Sequence, residues 1–469
     1  MIIEQIYTGC LAQGAYYIES NGEVAIIDPL REVQDYIDRA SKNNSKIKYI
    51  FETHFHADFV SGHVTLAEKT GAKIVFGPTA KTNFDAIIAE DNQVFKVGDL
   101  TIKVLHTPGH TMESSCYLLK DKNGKDHALF SGDTLFLGDV GRPDLAQKGT
   151  LTQEDLAGLL FDSLRYKVMP LADDVIVYPA HGAGSACGKN LSKETVGTIG
   201  NQKETNYALR ANMTKTEFIK EVTDGLLPPP AYFPLNVQMN KEGYQSIDEV
   251  IKNSAKPLSV KDFELVANTT DAIILDVRHQ TEFIKGFIPQ SIFIGIDGGF
   301  APWVGALIKD TKQPILLVAP EGREEDTITR LSRVGFDNVL GYLEGSFASW
   351  QNANKEIDTL KSVSATVLGD KIEENAIVFD VRKPGEYESE HVENVPSTPL
   401  SFLNDHITEF PKKDDFYVYC GGGYRSVIAS SILKARGFHN VIDVAGGYAA
   451  IRNTNIKRTD TAVCPSTLK

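Results

Sequence analysis

Short apolar runs recur along the first half of the chain, and four of them end directly at a polar cluster that contains His or Asp. Runs of four or five apolar residues between polar turns predict buried strands, and helical stretches separate these runs. Loops at strand ends on such an α/β scaffold can aim their side chains at a common point. The runs are IKYIF, TIKVL, HALF and DVIVY, and the clusters after them are THFHAD (53–58), TPGHT (107–111), SGDT (131–134) and YPAHG (178–182).

This pattern stops at GLLPPPAYFPLN (225–236), where three consecutive prolines exclude both a helix and a central strand. We therefore predict a first domain over residues 1–225 and a Pro-rich linker over residues 226–246. The sequence then repeats itself, because AIILDVR begins at residue 272 and AIVFDVR at residue 376, a separation of 104 residues. A period of about 100 residues predicts duplicated domains rather than a solenoid.

Each copy of the repeat has an apolar strand that ends in Asp, an apolar strand before a loop, a helix and another strand. This order predicts two small α/β domains with largely parallel sheets. We place them at residues 247–355 and 362–469.

Composition narrows the class of protein. The chain has 469 residues, 42% hydrophobic and 23% charged, which is typical of a globular protein. A net charge of -14 disfavours binding to nucleic acids or anionic membranes. We recognise no secretory signal and no apolar run of membrane-spanning length. The few, irregularly spaced cysteines favour a reducing cytoplasm over a disulfide framework; they are Cys10, Cys116, Cys187, Cys420 and Cys464.

The stretch THFHADFVSGH (53–63) contains three histidines and an aspartate. His54 and His56 are two positions apart, so an extended backbone places them on the same side. This pattern indicates a metal site at the end of a strand. The pattern H-x-H-x-D usually continues with another histidine, but the next residue here is Phe59, which cannot ligate a metal.

The order of the four clusters resembles the metallo-β-lactamase fold family over essentially the whole first domain. The resemblance implies a four-layer αββα sandwich with metal at one edge. In hydrolytic members, the H-x-H and TPGH histidines hold one ion, the D-H pair and the late histidine hold a second, and the SGD aspartate bridges them. The first set corresponds here to His54, His56, His110 and Asp133. The second corresponds to Asp58, Phe59, Asp133 and His181, so it loses a ligand and is expected to lose its ion.

The ligands that remain supply two histidines and one carboxylate: His54, His110 and Asp133. Two His and one Asp on one face of an ion is the arrangement of non-haem Fe(II) oxygenases, which leaves open positions for O2 and substrate. A hydrolytic zinc enzyme would instead use its ion to lower the pKa of a bound water. Imidazole suits both metals, so the ligand types alone do not choose between them.

Two further segments, GDVGRPDL (138–145) and HGAGSACG (181–188) with the following TIGNQKETNYALR, closely resemble the persulfide dioxygenase branch of this fold. The resemblance implies that His54, His110 and Asp133 hold one Fe(II) per chain. The implied reaction oxidises the outer sulfur of a small thiol persulfide with O2, giving sulfite and the free thiol. The remaining polar residues of the motifs would then orient the ligands and tune the ion; they are His56, Asp58 and His181.

Three residues have open roles. Arg142 is either a clamp for a substrate carboxylate or phosphate, or the ion-pair partner of Asp144. Cys187 lies six residues after His181 and can face the metal cleft and carry a persulfide, or it can be a small buried packing residue. Cys464, in a polar tail, is expected to be an exposed, unconstrained thiol, or alternatively a thiol that shuttles sulfur.

The second repeat carries a cysteine at a glycine-rich loop. A strand runs into Cys420, and a helix is predicted to start near Ser426. The glycines let backbone N–H groups turn inward, and these groups with the helix N-terminus form an anion cradle. The cradle, with Arg425 adjacent, favours the thiolate of Cys420, which would attack sulfane sulfur. The four residues between Cys420 and Arg425 would bind the persulfide; they are Gly421, Gly422, Gly423 and Tyr424.

A spacing of four residues between Cys and Arg resembles rhodanese, whereas the loop of Cys-dependent phosphatases is longer by one. AIVFDVRKPGEYESEHV (376–392) is also rhodanese-like, which implies an active sulfurtransferase domain with Cys420 and Arg425 as its catalytic residues. The first repeat keeps LDVRHQTEF (275–283), but Val318 stands opposite Cys420 and its loop has no cysteine. That copy is expected to be inactive and to serve in packing and positioning.

We therefore expect an α/β chain with a metallo-β-lactamase-type sandwich and two rhodanese-like domains. Its expected activity couples persulfide oxidation at iron to sulfur transfer that makes or uses thiosulfate, in sulfide detoxification. The alternatives are a glyoxalase II-like zinc thiolester hydrolase and a sulfane-sulfur carrier or sensor without turnover. The expected partners are a thiol persulfide, O2 and sulfite or thiosulfate, with no nucleic acid and no membrane, for a cytoplasmic homo-oligomer.

Overall fold

The computed structural model describes residues 1–147, 150–189 and 191–459. It divides into two compact units. The first unit contains residues 1–250 with 332–335, and the second contains residues 251–331 and those from 336 onward.

Twelve strands of the first unit form two six-stranded mixed sheets, in the orders β1-β2-β3-β4-β5-β6 and β12-β11-β10-β9-β8-β7. The pairs β3–β4, β4–β5, β5–β6 and β10–β11 are parallel, and the other pairs are antiparallel. The strands are β1 (Ile2–Thr8), β2 (Gln13–Ser20), β3 (Glu23–Ile27), β4 (Lys46–Phe51), β5 (Lys73–Phe76), β6 (Ile87–Ile88), β7 (Val94–Val97), β8 (Leu100–His106), β9 (Ser115–Lys120), β10 (Asp126–Gly132), β11 (Ile176–Pro179) and β12 (Gly197–Thr198).

Strand β2 buries both of its faces. Tyr16 and Ile18 point into the core between the two sheets, while Ala15 and Tyr17 point into a core under the helices. A side-chain period of two explains why apolar residues follow one another directly in the middle of this strand. The helices from this unit are α1 (Gln34–Lys42), α2 (His63–Thr70), α3 (Gln153–Ser163), α4 (Ile199–Thr205), α5 (Lys215–Thr223), α6 (Phe233–Glu242) and α7 (Ile247–Ser254), the last of which continues into the second unit.

The second unit contains both sequence repeats. The first repeat has a parallel five-stranded sheet in the order β13-β17-β16-β14-β15. Its elements are β13 (Pro257–Leu258), α8 (Val260–Thr269), β14 (Ile273–Asp276), α9 (Gln280–Phe283), β15 (Ile292–Phe293), α10 (Phe300–Leu307), β16 (Ile315–Val318), α11 (Glu324–Arg333), β17 (Val339–Leu343) and α12 (Ser346–Asn352).

The second repeat has a parallel four-stranded sheet in the order β18-β21-β20-β19. Its elements are β18 (Lys361–Val363), α13 (Ala365–Glu373), β19 (Ile377–Asp380), α14 (Pro384–Ser389), β20 (Phe416–Tyr419), α15 (Tyr424–Ala435), β21 (Val441–Val444) and α16 (Gly447–Ile451). Strands β14 and β19 are the two copies of the repeated motif and end at Asp276 and Asp380.

The predicted fold class is confirmed: the first domain is an αββα sandwich with two mixed sheets, and two parallel α/β domains follow it. Within the segment predicted to be a linker, residues 233–242 form helix α6, which belongs to the first unit. The boundaries proposed for the domains stay a prediction. Among the described residues, no helix is both long and apolar enough to cross a membrane.

Candidate functional site

The four polar clusters of the first unit follow the ends of strands β4, β8, β10 and β11, as the sequence predicts. Three of their side chains come together: one ligand atom each from His54, His110 and Asp133 lie within 4.8 Å of one another, and all three residues are buried. His110 Nε2 is 3.4 Å from Asp133 Oδ2, and His54 Nε2 is 3.9 Å from the same oxygen. The predicted trio of ligands therefore faces a common point.

Neighbouring groups fix the tautomers of both histidines. His110 Nδ1 donates to the carbonyl oxygen of Arg142 at 2.9 Å. Thr53 Oγ1 donates to Asp28 at 2.8 Å, so it accepts from His54 Nδ1 at 3.0 Å. Both rings thus direct an Nε2 lone pair towards Asp133, as metal-bound histidines do. Burial and the nearby histidines hold the pKa of His54 well below its usual value, which keeps this ring neutral.

His110 Nε2 and both carboxylate oxygens of Asp133 are buried without a hydrogen-bond partner among the described residues. Two buried imidazole lone pairs and a carboxylate that face one another are unfavourable unless a cation lies between them. The residues present therefore fit a bound metal ion. His54, His110 and Asp133 are the side chains that would hold it.

His181 lies beside the second carboxylate oxygen of Asp133, Oδ1, and Asp58 lies next to His181. His181 Nε2 is 3.4 Å from Asp58 Oδ2 and 3.6 Å from Asp133 Oδ1. Burial raises the pKa of Asp58. The next residue, Phe59, is fully buried with its ring 4.4 Å from that of His56, so it fills space by the cluster without offering a ligand.

Two acidic residues contact His56, and the sequence motifs did not identify either of them. Its Nε2 lies 3.1 Å from Asp28 Oδ1 and 3.5 Å from Glu52 Oε2, and all three residues are buried. Burial alone lowers the pKa of His56, but the two carboxylates outweigh it and raise the pKa to about 9. Asp28 directly follows strand β3, so the same search for polar residues at strand ends could have identified it.

The structure shows the ion pair considered for Arg142. Its guanidinium makes two hydrogen bonds of 2.6 Å to Asp144, and it also donates to the carbonyls of Leu227 and Ala186. Only 7% of the residue is exposed. Arg142 thereby holds the loop whose carbonyl orients His110, and its role as a substrate clamp stays a prediction.

Cys187 lies in the metal cleft. Its Sγ, a carboxylate oxygen of Asp133 and a ring nitrogen of His181 are all within 4.8 Å of one another. Burial, with Asp58 and Asp133 close by, raises the pKa of this thiol well above its usual value. Cys187 is thus both buried and next to the metal cleft, and its role in carrying a persulfide stays a prediction. Cys464, the other thiol with an open role, lies outside the described residues.

The segment after the prolines supports the metal-binding loop. Asn240, buried in helix α6, donates to the carbonyls of His56 and Phe59 at 2.8 Å each and accepts from the N–H of Ser61 at 2.9 Å. Tyr232 donates to the carbonyl of Asp58 at 3.2 Å. No local sequence signal reveals these contacts, because about 180 residues separate Asn240 from its partners.

In the second unit, Cys420 follows strand β20 and is 1% exposed. The N–H of Gly423, a residue with φ 94°, donates to Cys420 Sγ at 3.1 Å. Arg425 is paired with Glu386 through contacts of 2.5 and 2.8 Å, so its guanidinium is held beside the loop. The Gly-rich loop therefore directs at least one backbone donor at the sulfur, as predicted.

A series of hydrogen-bonded polar side chains begins at Cys420. Its Sγ lies 3.5 Å from Ser426 Oγ, which donates to Asp443 at 2.6 Å. Burial raises the pKa of Asp443 to about 6. Helix α15 starts at Tyr424, two residues before the position expected from the sequence.

Tyr424 connects the loop to the first repeat. Its hydroxyl donates to the carbonyl of Gly295 at 2.7 Å, and its ring covers Gly298, where an added Cβ would lie 2.3 Å from Cζ. The Tyr424 side chain is therefore packed on the first repeat, and its predicted part in persulfide binding, through the loop backbone, stays a prediction. In the first repeat, Arg323 stands opposite Arg425 but pairs with Asp326 and Asp297.

Comparison with protein families matches residues 8–181 to the metallo-beta-lactamase superfamily, and residues 259–353 and 364–454 to the rhodanese-like domain. The chain is similar to the crystal structure of a metallo-beta-lactamase from Staphylococcus aureus subsp. aureus COL, with 30% sequence identity and a TM-score of 0.64 over 73% of this chain and 98% of that one. The chain belongs to the metallo-β-lactamase superfamily. Two rhodanese-like domains follow its metallo-β-lactamase domain.

Two other similarities cover smaller parts of this chain. The probable hydroxyacylglutathione hydrolase glo2 of Schizosaccharomyces pombe is 31% identical over 34% of this chain and 58% of its own length. The crystal structure of ETHE1 from Myxococcus xanthus is 27% identical, with a TM-score of 0.44 over 51% of this chain and 98% of that one. The alignments cover 58% and 60% of the first two curated relatives, both from S. pombe.

Proposed function

We propose that the first domain oxidises a small thiol persulfide with O2 at a single Fe(II), and that the last domain transfers sulfane sulfur through Cys420. The first reaction is RSSH + O2 + H2O → RSH + H2SO3. The observation that carries this proposal is the convergence of His54, His110 and Asp133, with Phe59 at the position where a second ion would need a histidine. A two-histidine, one-carboxylate face suits Fe(II) and leaves coordination positions open.

The iron, when bound, would supply the redox chemistry with O2. The protein residues hold and tune it. The carbonyl of Arg142 keeps the proton of His110 on Nδ1, Thr53 does the same for His54, and Asp133 supplies the negative charge. His181 and Asp58 adjoin the second oxygen of Asp133 and can orient it.

The sulfur-transfer step needs only the loop of the last domain. The thiolate of Cys420 attacks the outer sulfur of thiosulfate, the S–S bond breaks, and sulfite leaves with the bonding pair: Cys–S⁻ + S–SO3²⁻ → Cys–S–S⁻ + SO3²⁻. The N–H of Gly423, 3.1 Å from the sulfur, stabilises the anionic product. The reverse step converts sulfite from the first domain to thiosulfate, which gives the fusion of the two domains a chemical reason.

Thiolester hydrolysis is the second candidate function. The curated relatives that match this chain include proteins named hydroxyacylglutathione hydrolase, and Asp58, Asp133 and His181 remain together as three of the groups that could hold a second hydrolytic ion. Phe59 counts against this candidate, because it removes one ligand. A sulfane-sulfur carrier without turnover is disfavoured by the complete trio of buried ligands.

A direct test compares two histidines that are four residues apart. His110→Ala removes a proposed ligand, while His106→Ala removes a half-buried histidine whose Nε2 contacts the carbonyl of Met112. In Fe(II)-loaded protein, we expect persulfide-dependent O2 uptake to be lost in His110→Ala and kept in His106→Ala. Unchanged uptake in His110→Ala, or hydrolysis of a glutathione thiolester in place of O2 uptake by the parent protein, would contradict the proposal.

A further inference from the structure

Three buried polar side chains connect the reactive sulfur of the last domain to a carboxyl group in its interior. Cys420 Sγ lies 3.5 Å from Ser426 Oγ, and Ser426 Oγ lies 2.6 Å from Asp443 Oδ1. The hydroxyl of Ser362 donates to the other carboxylate oxygen of Asp443 at 2.8 Å. Cys420, Ser426 and Asp443 are almost inaccessible to solvent. We call these three residues the Cys420–Ser426–Asp443 series.

The fold brings the series together from neighbouring elements of one sheet and the helix on it. Asp443 lies opposite Val418 where β21 pairs with β20, and Cys420 directly follows the end of β20. Helix α15 packs against both strands, and Ser426 is its third residue. The serine hydroxyl therefore reaches the sulfur on one side and the carboxyl group on the other.

The hydrogen bonds of the series run in one direction. Ser426 has a single hydroxyl hydrogen, which it donates to Asp443, so its oxygen accepts from the thiol of Cys420. The structure thus pairs a thiol with a carboxylate. If the sulfur became anionic while the carboxylate kept its charge, two negative charges would be buried only two hydrogen bonds apart, which is unfavourable. Moving one proton along the series avoids this second charge.

Charged groups near the sulfur favour its anion. The guanidinium of Arg425 interacts with Cys420, and it is paired with Glu386 at 2.5 and 2.8 Å. Asp380, the next acidic residue towards Arg425, is itself paired with Arg382 at 2.6 Å. The positive charge of Arg425 therefore assists an anionic sulfur, while the nearby carboxylates have cationic partners of their own.

The surroundings of Asp443 make it a suitable proton acceptor. Its carboxylate is stabilised by the hydroxyls of Ser426 and Ser362 and by the N–H of Val444, but burial outweighs these hydrogen bonds and raises its pKa to about 6. Asp443 is therefore charged at neutral pH, yet it takes up a proton more readily than an exposed aspartate.

We propose that the Cys420–Ser426–Asp443 series is a proton switch, in which Asp443 takes the proton of Cys420 through Ser426 when the sulfur becomes anionic. The step is Cys–SH + Ser–OH + ⁻OOC–Asp → Cys–S⁻ + HO–Ser + HOOC–Asp. The S–H bond breaks, Ser426 Oγ receives that hydrogen and passes its own hydrogen to Asp443 Oδ1, and nothing is oxidised or reduced. The directions of both hydrogen bonds reverse, so Ser426 then donates towards the anionic sulfur.

The switch keeps one negative charge in the buried series, whether Cys420 is a thiol or carries an anionic persulfide. This inference rests on the sulfur transfer proposed for Cys420, in which Asp443 is a positioning residue that does not touch the substrate. The proton remains on Asp443 while the sulfur is anionic and returns to Cys420 when the thiol forms again.

Titration of the Cys420 thiol in the full chain tests the switch. Each protein is compared with its own Cys420→Ser counterpart, so the difference in the ultraviolet thiolate band reports Cys420 alone. Because the carboxylate opposes a second negative charge, we expect Asp443→Asn to lower the midpoint pH of the Cys420 thiolate by at least about one unit. Asp370→Asn, the same substitution at an exposed residue of helix α13, should leave the midpoint unchanged. A merely structural role for Asp443 predicts the opposite sign, because a loosened loop would lose its donors to the thiolate and raise the midpoint.

Infrared spectroscopy checks the sulfur-loaded state without altering the series. When thiosulfate treatment at neutral pH adds one sulfur to Cys420, as shown by mass, the protein should gain the carbonyl stretch of a protonated carboxyl group. Cys420→Ser treated in the same way should not gain it. Loaded protein without this band would overturn the proposal, as would an unchanged or raised midpoint in Asp443→Asn. The titration uses no thiosulfate, so a lowered midpoint in protein that cannot be loaded refutes the proposed sulfur transfer alone, and an unchanged midpoint in protein that is loaded refutes the switch alone.

Discussion

Replacing Asn240 by alanine should destabilise the first unit and loosen its metal-binding loop. The Asn240 side chain gives the carbonyls of His56 and Phe59 their donors and the N–H of Ser61 its acceptor, at 2.8 to 2.9 Å. A buried polar group left without its partner costs about 1–3 kcal/mol. Because the space left by the side chain can admit water, we expect the lower end for each group, a loss of about 3 kcal/mol in the free energy of unfolding.

Urea unfolding followed by far-ultraviolet circular dichroism gives this free energy, and hydrogen exchange of the Ser61 amide shows whether the loop itself opens. Tryptophan fluorescence serves as an internal reference, since Trp303 and Trp350, the two tryptophans of the chain, both belong to the second unit. Gln238→Ala is the matched control, because Gln238 is exposed on the same helix and bonds only to Glu242 among the contacts found.

We expect Gln238→Ala to change the free energy of unfolding by less than about 0.5 kcal/mol, as is usual for exposed positions. The role given to helix α6 would be refuted if Asn240→Ala lowers the free energy of unfolding by less than about 1 kcal/mol and the Ser61 amide stays protected from hydrogen exchange.

Three further outcomes are expected in the second unit. Cys420→Ser should abolish thiosulfate-dependent sulfur transfer and leave the metal content unchanged, and substantial remaining transfer would contradict the role of the loop. Gly298→Ala should lower the rate of sulfur transfer at least several-fold with little change in metal content, because the new Cβ would lie 2.3 Å from Tyr424 Cζ and must displace the ring that anchors the loop; an unchanged rate would show that the anchor does not position Cys420. Burial raises the pKa of Asp443 to about 6 from 3.8, so its contribution to stability is complete below about pH 4 and falls by about 3 kcal/mol as the pH rises through 6. Asp443→Asn should flatten that part of the urea stability curve, and an equally steep curve would be the contrary result.

The sequence was sufficient to predict which side chains come together at the proposed metal site, because each follows the end of a strand. His54 follows a strand of one sheet, His110 and Asp133 follow strands of the other, and the three loops meet at one point. The repeated apolar strands that end at Asp276 and Asp380 likewise predicted two similar parallel domains. The same reasoning could have identified Asp28, because it too directly follows a strand.

The missed features depend on contacts between residues that are far apart in the chain. The contacts of Arg142 could be foreseen only in part, because they include the carbonyls of Ala186 and Leu227 as well as the nearby Asp144. Asn240 supports a loop about 180 residues earlier, and nothing in its neighbourhood along the sequence marks it as buried. The packing of the Tyr424 side chain on Gly295 and Gly298 could not be foreseen either, because these glycines belong to the other repeat.

The most direct test of the central claim is the ratio of sulfite formed to O2 consumed by protein loaded anaerobically with one Fe(II) per chain. Glutathione persulfide serves as the substrate, and Cys420→Ser prevents sulfite from being converted to thiosulfate. The proposed reaction predicts one sulfite for each O2, and no uptake without persulfide. Absence of persulfide-dependent O2 consumption, together with hydrolysis of a glutathione thiolester by the same preparation, would contradict it.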